Sequence, residues 1–213
     1  MAGQGFTDRA EAGRALAEAL RDLPDDGVLV LAIPRGGVPV AAEVARARGW
    51  PLDVVIPRKI GAPGNPELGL GAIAPGVRVL DTVMLERLGV PDEYLEEEIR
   101  AQEEEIRRRA QAYRRGREPA EVEGRIAVVV DDGVATGGTA AAALRWARAQ
   151  GAAQVVLAIP VAAPESLRAL EGEADRIVCL LAPERFYAVG QWYRDFGQTS
   201  DEEVVALLEE LWR

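Results

Sequence analysis

The sequence predicts an α/β fold: a parallel β-sheet flanked by helices, with a long charged helix besides. Three observations support it. Short, continuously apolar runs recur along the chain at Val28–Ile33, Leu52–Ile56, Arg125–Val130, Val155–Ile159 and Ile177–Leu181. Helix-like segments separate most of them, and strands alternating with helices build parallel sheets covered on both faces. At 213 residues the chain suffices for one sizeable core, so a single domain over 1–213 is expected.

The elements follow in order. Asp8-Arg-Ala-Glu11 has the spacing of a capping box and opens an Ala/Leu-rich helix to about Leu23. After the first strand, Gly36-Gly37 leads into a helix ending near Arg48. Residues 60–76 contain eight glycines and prolines, a density of breakers that predicts a flexible loop. Val77–Leu80 is a further short strand. From Pro91 to Arg115 the pattern is a helical insertion. Glu96/Arg100, Glu103/Arg107, Glu104/Arg108 and Glu105/Arg109 are spaced for i, i+4 pairs, and Leu95, Ile99, Ile106, Ala110 and Tyr113 form a narrow apolar stripe. The stripe reads as a solvated helix lying on the body, and as a candidate contact in a homodimer. A helix over Gly137–Gln150 and a short one from about Glu165 follow. Ser200-Asp-Glu-Glu203 repeats the capping spacing and starts a final amphipathic helix to Leu211.

Composition excludes several chemistries. There is no histidine, which removes Ser-His and Cys-His catalysis and His-ligated metals. The lone Cys179 sits in an apolar strand and reads as core filler. Net charge is −10 with no basic cluster, so no nucleic-acid partner is expected. No apolar run is long enough to span a bilayer and the N-terminus has no leader-like character, so no membrane partner and a cytoplasmic setting are expected. Lys59 is the only lysine, and it follows Arg58 in the Gly/Pro-rich segment.

In such sheets ligands bind at the carboxyl ends of strands. The most informative end is Val128-Val-Val-Asp131-Asp132-Gly133-Val134-Ala135-Thr136-Gly137-Gly138-Thr139. A buried strand runs into two carboxylates, and a turn of small residues then opens a helix. Backbone N–H groups in such a turn make an anion nest, and the helix N-terminus adds partial positive charge. Ionised carboxylates only accept hydrogen bonds and would repel a phosphate, so they suit ribose hydroxyls. The combination points to one ligand carrying a phosphate and a diol. The glycine spacing resembles a P-loop, but no lysine precedes Thr139; nor does any G-x-G-x-x-G follow a strand.

Ala127–Thr139 resembles the 5-phosphoribosyl-1-pyrophosphate (PRPP) signature of type I phosphoribosyltransferases, and the turn Ala135–Thr139 is most similar to the adenine-type enzymes. Gly133 departs from the family's larger apolar residue. By this resemblance Asp131 and Asp132 hold the ribose 2- and 3-hydroxyls and reach any Mg2+ only indirectly. Val134, Ala135, Thr136, Gly137, Gly138 and Thr139 form the phosphate turn. Arg35, Gly36 and Gly37 correspond to the pyrophosphate loop, with Arg35–Gly36 the candidate for the strained or cis peptide common there. Arg58 and Lys59 resemble the start of the adenine-type flexible loop, where Lys59 would act as a mobile cation on the leaving group. Hypoxanthine-type enzymes carry an aspartate base at the position of Ala135, so that role is vacant here.

Residues 183–200 correspond to a hood over the base. Phe186 or Trp192 is a candidate stacking ring, though packing of the last helix accounts for these aromatics equally well. The resemblance implies a Mg-dependent pentosyltransferase acting on PRPP and a small nitrogenous base in nucleotide metabolism. The alternative is a regulatory protein of the same fold that senses PRPP or a nucleotide.

Overall fold

In the computed structural model, which describes residues 5–212, five parallel strands form the main sheet: β1 (Val28–Ala32), β2 (Leu52–Val54), β6 (Ile126–Val130), β7 (Gln154–Val161) and β8 (Arg176–Leu181). Their order is β2-β1-β6-β7-β8. Chain progression therefore reverses between β1 and β6, and the carboxyl ends at such a switch point form the crevice of an open α/β sheet.

Alternation along β1 sends its two faces to different cores. Val28, Val30 and Ala32 pack with α1 (Arg9–Ala19), α2 (Gly37–Arg48) and α7 (Asp201–Leu211). Leu29 and Leu31 pack on the other face with α5 (Gly138–Ala149), and Leu170 of α6 (Pro164–Leu170) joins them. β1, β2, β6 and β7 are buried on both sides, which is why they read as apolar runs, while the edge strand β8 is half-buried along its length.

Both capping expectations hold in part or whole. Asp8 Oδ1 accepts from the Glu11 N–H at 2.7 Å, and Ser200 Oγ accepts from the Glu203 N–H at 3.1 Å. Glu11, however, reaches back to the N–H of Thr7 rather than Asp8. The first helix ends at Ala19, four residues earlier than expected.

Residues 60–76 differ from the irregular loop expected. They belong to a second, antiparallel sheet of β3 (Arg58–Ala62), β4 (Asn65–Ala74) and β5 (Val77–Leu80). The breakers are its turns and close approaches. Pro63-Gly64 joins Ala62 to Asn65 and Pro75-Gly76 joins Ala74 to Val77, each glycine with positive φ. A Cβ on Gly71, itself at φ +142°, would lie 2.2 Å from the Val79 carbonyl oxygen. Glycine thus permits the pairing that its frequency seemed to forbid.

A short helix, α3 (Thr82–Leu88), follows, capped by Asp81. The charged helix α4 spans Asp92–Arg114. Its stripe is not free for a second copy: Ile99, Ile106 and Tyr113 are buried in the chain's own core, with Leu95 and Ala110 packed against it. Several expected i, i+4 pairs are also replaced. Glu96 and Glu103 turn to Arg78 of β5, at 3.0 and 3.7 Å, while Glu105 pairs with both Arg108 and Arg109. The C-terminal end of α4 is pinned by Arg114, whose Nε donates to the buried Asp53 carboxylate at 3.0 Å.

After β8 the chain returns through a 3-10 turn at Val189–Trp192 and runs alongside the N-terminal arm. Phe6 and Tyr193 form a parallel bridge, supported by the Phe6 N–H donating to Trp192 O and the Arg194 N–H to Phe6 O. Among the described residues no helix is long and apolar enough to cross a membrane.

Candidate functional site

The switch point brings the loops after β1 and β6 side by side. The Ile33 N–H donates to Val130 O at 2.8 Å, carrying Pro34–Gly37 against the acid pair. Contact is close enough to need glycine twice. A Cβ on Gly36 would sit 2.0 Å from Asp132 Oδ2, and one on Gly37 would lie 2.9 Å from Asp131 Cα. A non-proline cis peptide lies at Pro34–Arg35, one residue before the expected Arg35–Gly36 bond.

Asp131 and Asp132 stand at the carboxyl end of β6, mostly buried. Asp131 Oδ1 accepts from the Asp132 N–H at 2.8 Å. Burial and the neighbouring Asp132 charge push the Asp131 carboxyl well above the usual carboxylate range. Burial raises Asp132 too, opposed by Arg9, whose Nε donates to Asp132 Oδ2 at 2.8 Å. Like charges sharing a desolvated site resist joint ionisation, and a cation or a hydroxyl donor relieves that resistance.

Arg9 is held in turn by donation from Nη1 to Gly197 O at 2.7 Å and by Phe196, whose ring centroid is 4.0 Å from the guanidinium carbon. The Tyr193 hydroxyl donates to Asp132 O at 2.6 Å. The segment after β8 and the N-terminal arm therefore close one side of the acid pair. Nothing in the local sequence around Arg9 or Tyr193 announces this, because both arrive from distant parts of the chain.

The turn after the acids is fastened from below. The Val134 N–H donates to Val161 O, the Ala163 N–H to Val134 O, and Ser166 Oγ to Ala135 O at 2.6 Å. Ala135 and Thr136 are exposed, and Gly137 adopts φ +82° as the N-cap of α5. That cap has no side-chain hydrogen bond. Among the described residues no protein acceptor answers the N–H groups of Ala135 to Ala140. An uncapped, amide-lined helix start facing solvent is a site for an anion. Gly133 has a local reason: Val189 Cγ1 lies 2.6 Å from where its Cβ would be, so the 3-10 turn after β8 occupies that space.

A cavity of about 420 Å³ opens beside these groups, lined by Pro34, Asp131 and Thr139 together with Arg58 and Lys59. The small sheet thus carries both cations to the acid pair and the turn. Arg35 does not line this cavity; its Nη1 lies 3.7 Å from Asp201 Oδ1, at the start of α7. Asp201 also accepts from the Tyr113 hydroxyl at 2.7 Å, and that hydroxyl is pushed up to about 12 by burial and this acceptor. Phe186 and Trp192 pack in a satellite hydrophobic cluster with Ala12, Val161 and Tyr193, and Tyr193 is the member whose hydroxyl reaches the backbone of Asp132. Two cavity residues, Glu98 and Gln102, come from α4 and were read from sequence only as part of a solvated face.

No group of three or more His, Cys, Asp or Glu side chains suited to a metal occurs among the described residues. The donor set nevertheless suits Mg2+ arriving with a diphosphate. Such an ion keeps phosphate oxygens and water and needs few protein ligands.

A family model of the phosphoribosyl transferase domain matches residues 7–195. Rv0571c of Mycobacterium tuberculosis, named as a phosphoribosyl transferase, is 50% identical over 205 residues, covering 96% of this chain and 46% of that protein. The chain therefore spans about half the length of the curated relatives it matches. Among solved structures, TT1426 from Thermus thermophilus has a TM-score of 0.83 at 48% identity, covering 97% of this chain and 99% of that one. A Neisseria gonorrhoeae protein with bound ppGpp has a TM-score of 0.50 at 14% identity, covering 97% and 94%.

Proposed function

The chain belongs to the phosphoribosyltransferase family, and from that premise we propose that it transfers the 5-phosphoribosyl group of PRPP to a nitrogenous base. One observation carries the reading. Asp131 of the acid pair and Thr139 of the uncapped, amide-lined helix start line one cavity together with two cations, Arg58 and Lys59. Their chemical order is that of PRPP: phosphate, diol, diphosphate.

In this reading Asp131 and Asp132 accept hydrogen bonds from the ribose 2- and 3-hydroxyls. The N–H groups of residues 135–139, helped by Thr136 and Thr139, hold the 5-phosphate at the positive end of α5. Gly36 and Gly37 let the loop after β1 approach the diphosphate, while Arg58 and Lys59 supply charge from β3. Arg35 would join them by leaving Asp201. Mg2+, when bound, neutralises diphosphate charge and improves it as a leaving group.

A ring nitrogen of the base attacks C1 of the ribose. The C1–O bond to pyrophosphate breaks, its electron pair leaves on that oxygen, and the proton of the nitrogen passes to solvent. Positive charge develops on the ribose as the bond stretches, and the nearby carboxylates stabilise it. Closure of the β3–β4 hairpin over the cavity would exclude the water that otherwise hydrolyses PRPP.

Ala135 offers no side-chain base, and this favours a second reading, in which the same cavity senses PRPP or a nucleotide. The fold shared with a ppGpp-bound protein is compatible with it, at the level of fold alone. Calorimetry with PRPP and Mg2+, followed by a pyrophosphate-release assay over a panel of purine and pyrimidine bases, separates the two. Release with one base supports transfer. Tight PRPP or nucleotide binding without release supports sensing, and loss of neither ligand nor product signal on mutating Asp131 and Asp132 would defeat both.

A further inference from the structure

Arg58 is oriented by an unusual choice of partner. Its Nε donates to Gln102 Oε1 at 2.8 Å, and Gln102 Nε2 donates to Glu98 Oε1 at 3.0 Å. Both ends of this amide are fixed by chemistry: a guanidinium has only donors and a carboxylate only acceptors, so Oε1 must face Arg58 and Nε2 must face Glu98. Tyr94, Glu98 and Gln102 are spaced four apart on α4 and form one stripe toward β3, where the Tyr94 hydroxyl donates to Gly61 O at 3.1 Å.

The neutral partner has a consequence. Most arginines of this chain that line interior surfaces are answered by acids: Arg9 by Asp132, Arg109 by Glu105 and Arg114 by Asp53, all within 3.0 Å. Arg58 is half-buried, and among the described residues no carboxylate lies within ion-pair distance of it. Its cation is disfavoured by burial and by the charge of Arg109. A carboxylate at position 102 would satisfy Arg58 better. An amide there fixes the guanidinium while leaving its charge for a ligand in the cavity that both residues line.

We propose that Gln102 of the helical insertion is a positioning residue that aims Arg58 at the diphosphate of the substrate without neutralising it, with Glu98 setting the orientation of the amide. This rests on the PRPP reading and goes beyond it, since it assigns the insertion a part in diphosphate binding. Sequence offers a faint trace: Gln102 interrupts a helix otherwise dominated by Glu and Arg.

The test uses the full chain with Mg2+ and two probes, PRPP and inorganic pyrophosphate, read by calorimetry. Gln102→Glu preserves shape but supplies an acid; affinity for both probes should fall about tenfold, comparable to losing a charge-assisted contact. Gln102→Ala should fall less, because Arg58 is misaimed but still charged. Because Gln102→Glu alone sets a second acid against Glu98, thermal melting is read in Gln102→Glu/Glu98→Gln, where it should be unchanged or raised while binding still weakens, a pairing that a merely structural role would not give. In an Arg58→Ala background, Gln102→Glu should have no further effect. Wild-type affinity retained in Gln102→Glu, or an equal loss with and without Arg58, overturns the inference while leaving the PRPP reading intact. Failure of the wild-type chain to bind either probe overturns the PRPP reading and this inference with it.

Discussion

Replacing Asp131 by asparagine should stabilise the unliganded protein while removing PRPP binding. Asn keeps the shape and the acceptor for the Asp132 N–H, found at 2.8 Å, but removes a buried charge beside a like charge. Two unit charges about 4 Å apart at an effective dielectric near 20 repel by roughly 4 kcal/mol, an upper bound for adjacent carboxylates that share a site. Arg9 already compensates Asp132, so the expected gain is ~2 kcal/mol, or about 4–8 °C in Tm for a chain of this size. The pH dependence fixes the sign. Asp131 binds its proton more tightly folded than unfolded, so its cost is absent below the ordinary aspartate range, grows as pH rises toward the raised folded value, and is full above it. The Tm difference between Asp131→Asn and wild type should therefore open as pH rises and close near pH 4, roughly the unfolded aspartate value. Scanning calorimetry between pH 4 and 8 measures it. A variant no more stable than wild type at pH 8, or a pH-independent difference, would refute the strain assigned to the acid pair. Hydroxyl donors favour the ionised form, so wild-type PRPP affinity should weaken as pH falls through the raised carboxyl range.

Three further outcomes follow from packing. Gly36→Ala drives a methyl to within 2.0 Å of Asp132 Oδ2, so PRPP affinity should fall at least tenfold, a change of about 1.4 kcal/mol or more, measured by calorimetry. Asp53→Ala strands Arg114, and a buried pair broken on one side costs about 3–5 kcal/mol, visible as a lower denaturation midpoint. The Cys179 thiol is half-buried and pushed up to about 11 by burial, so a thiol reagent at pH 8 should react slowly with native protein and rapidly after denaturation.

The strand–acid–turn–helix unit was legible because its parts are contiguous: Val128 to Thr139 contains the apolar run, both carboxylates and the glycines that free the helix start. The main sheet was legible for a related reason, since strands buried on both faces leave uninterrupted apolar runs. The small sheet was not. Its Pro-Gly pairs at 63–64 and 75–76 are hairpin turns, but within so many breakers they read as one loop. The α4 stripe was visible and its packing on the body was expected, yet the elements that receive it were not, because a stripe gives a direction from the helix axis and not the residues it meets. Arg9, Tyr193 and Gln102 were invisible as site residues because each acts through a partner at least 40 positions away.

A chain of net charge −10 binds a polyanion, in this reading, by sorting charge within a few side chains rather than by presenting a positive surface. The two departures from neutral pairing have opposite sign. At the end of β6 an acid pair shares a single close cation, Arg9, leaving a negative excess that hydroxyl donors can relieve. On β3 Arg58 has an amide in place of an acid, leaving a positive excess that only an anion can relieve. Ribose 5-phosphate would answer the turn and the acids but not Arg58; inorganic pyrophosphate would answer Arg58 but not the acids. Only a molecule carrying a phosphate, a diol and a diphosphate relieves all three together. Preference for PRPP over either fragment should therefore depend on Arg58 and Asp131 jointly, and removing one should bring PRPP down toward the fragment that never used it.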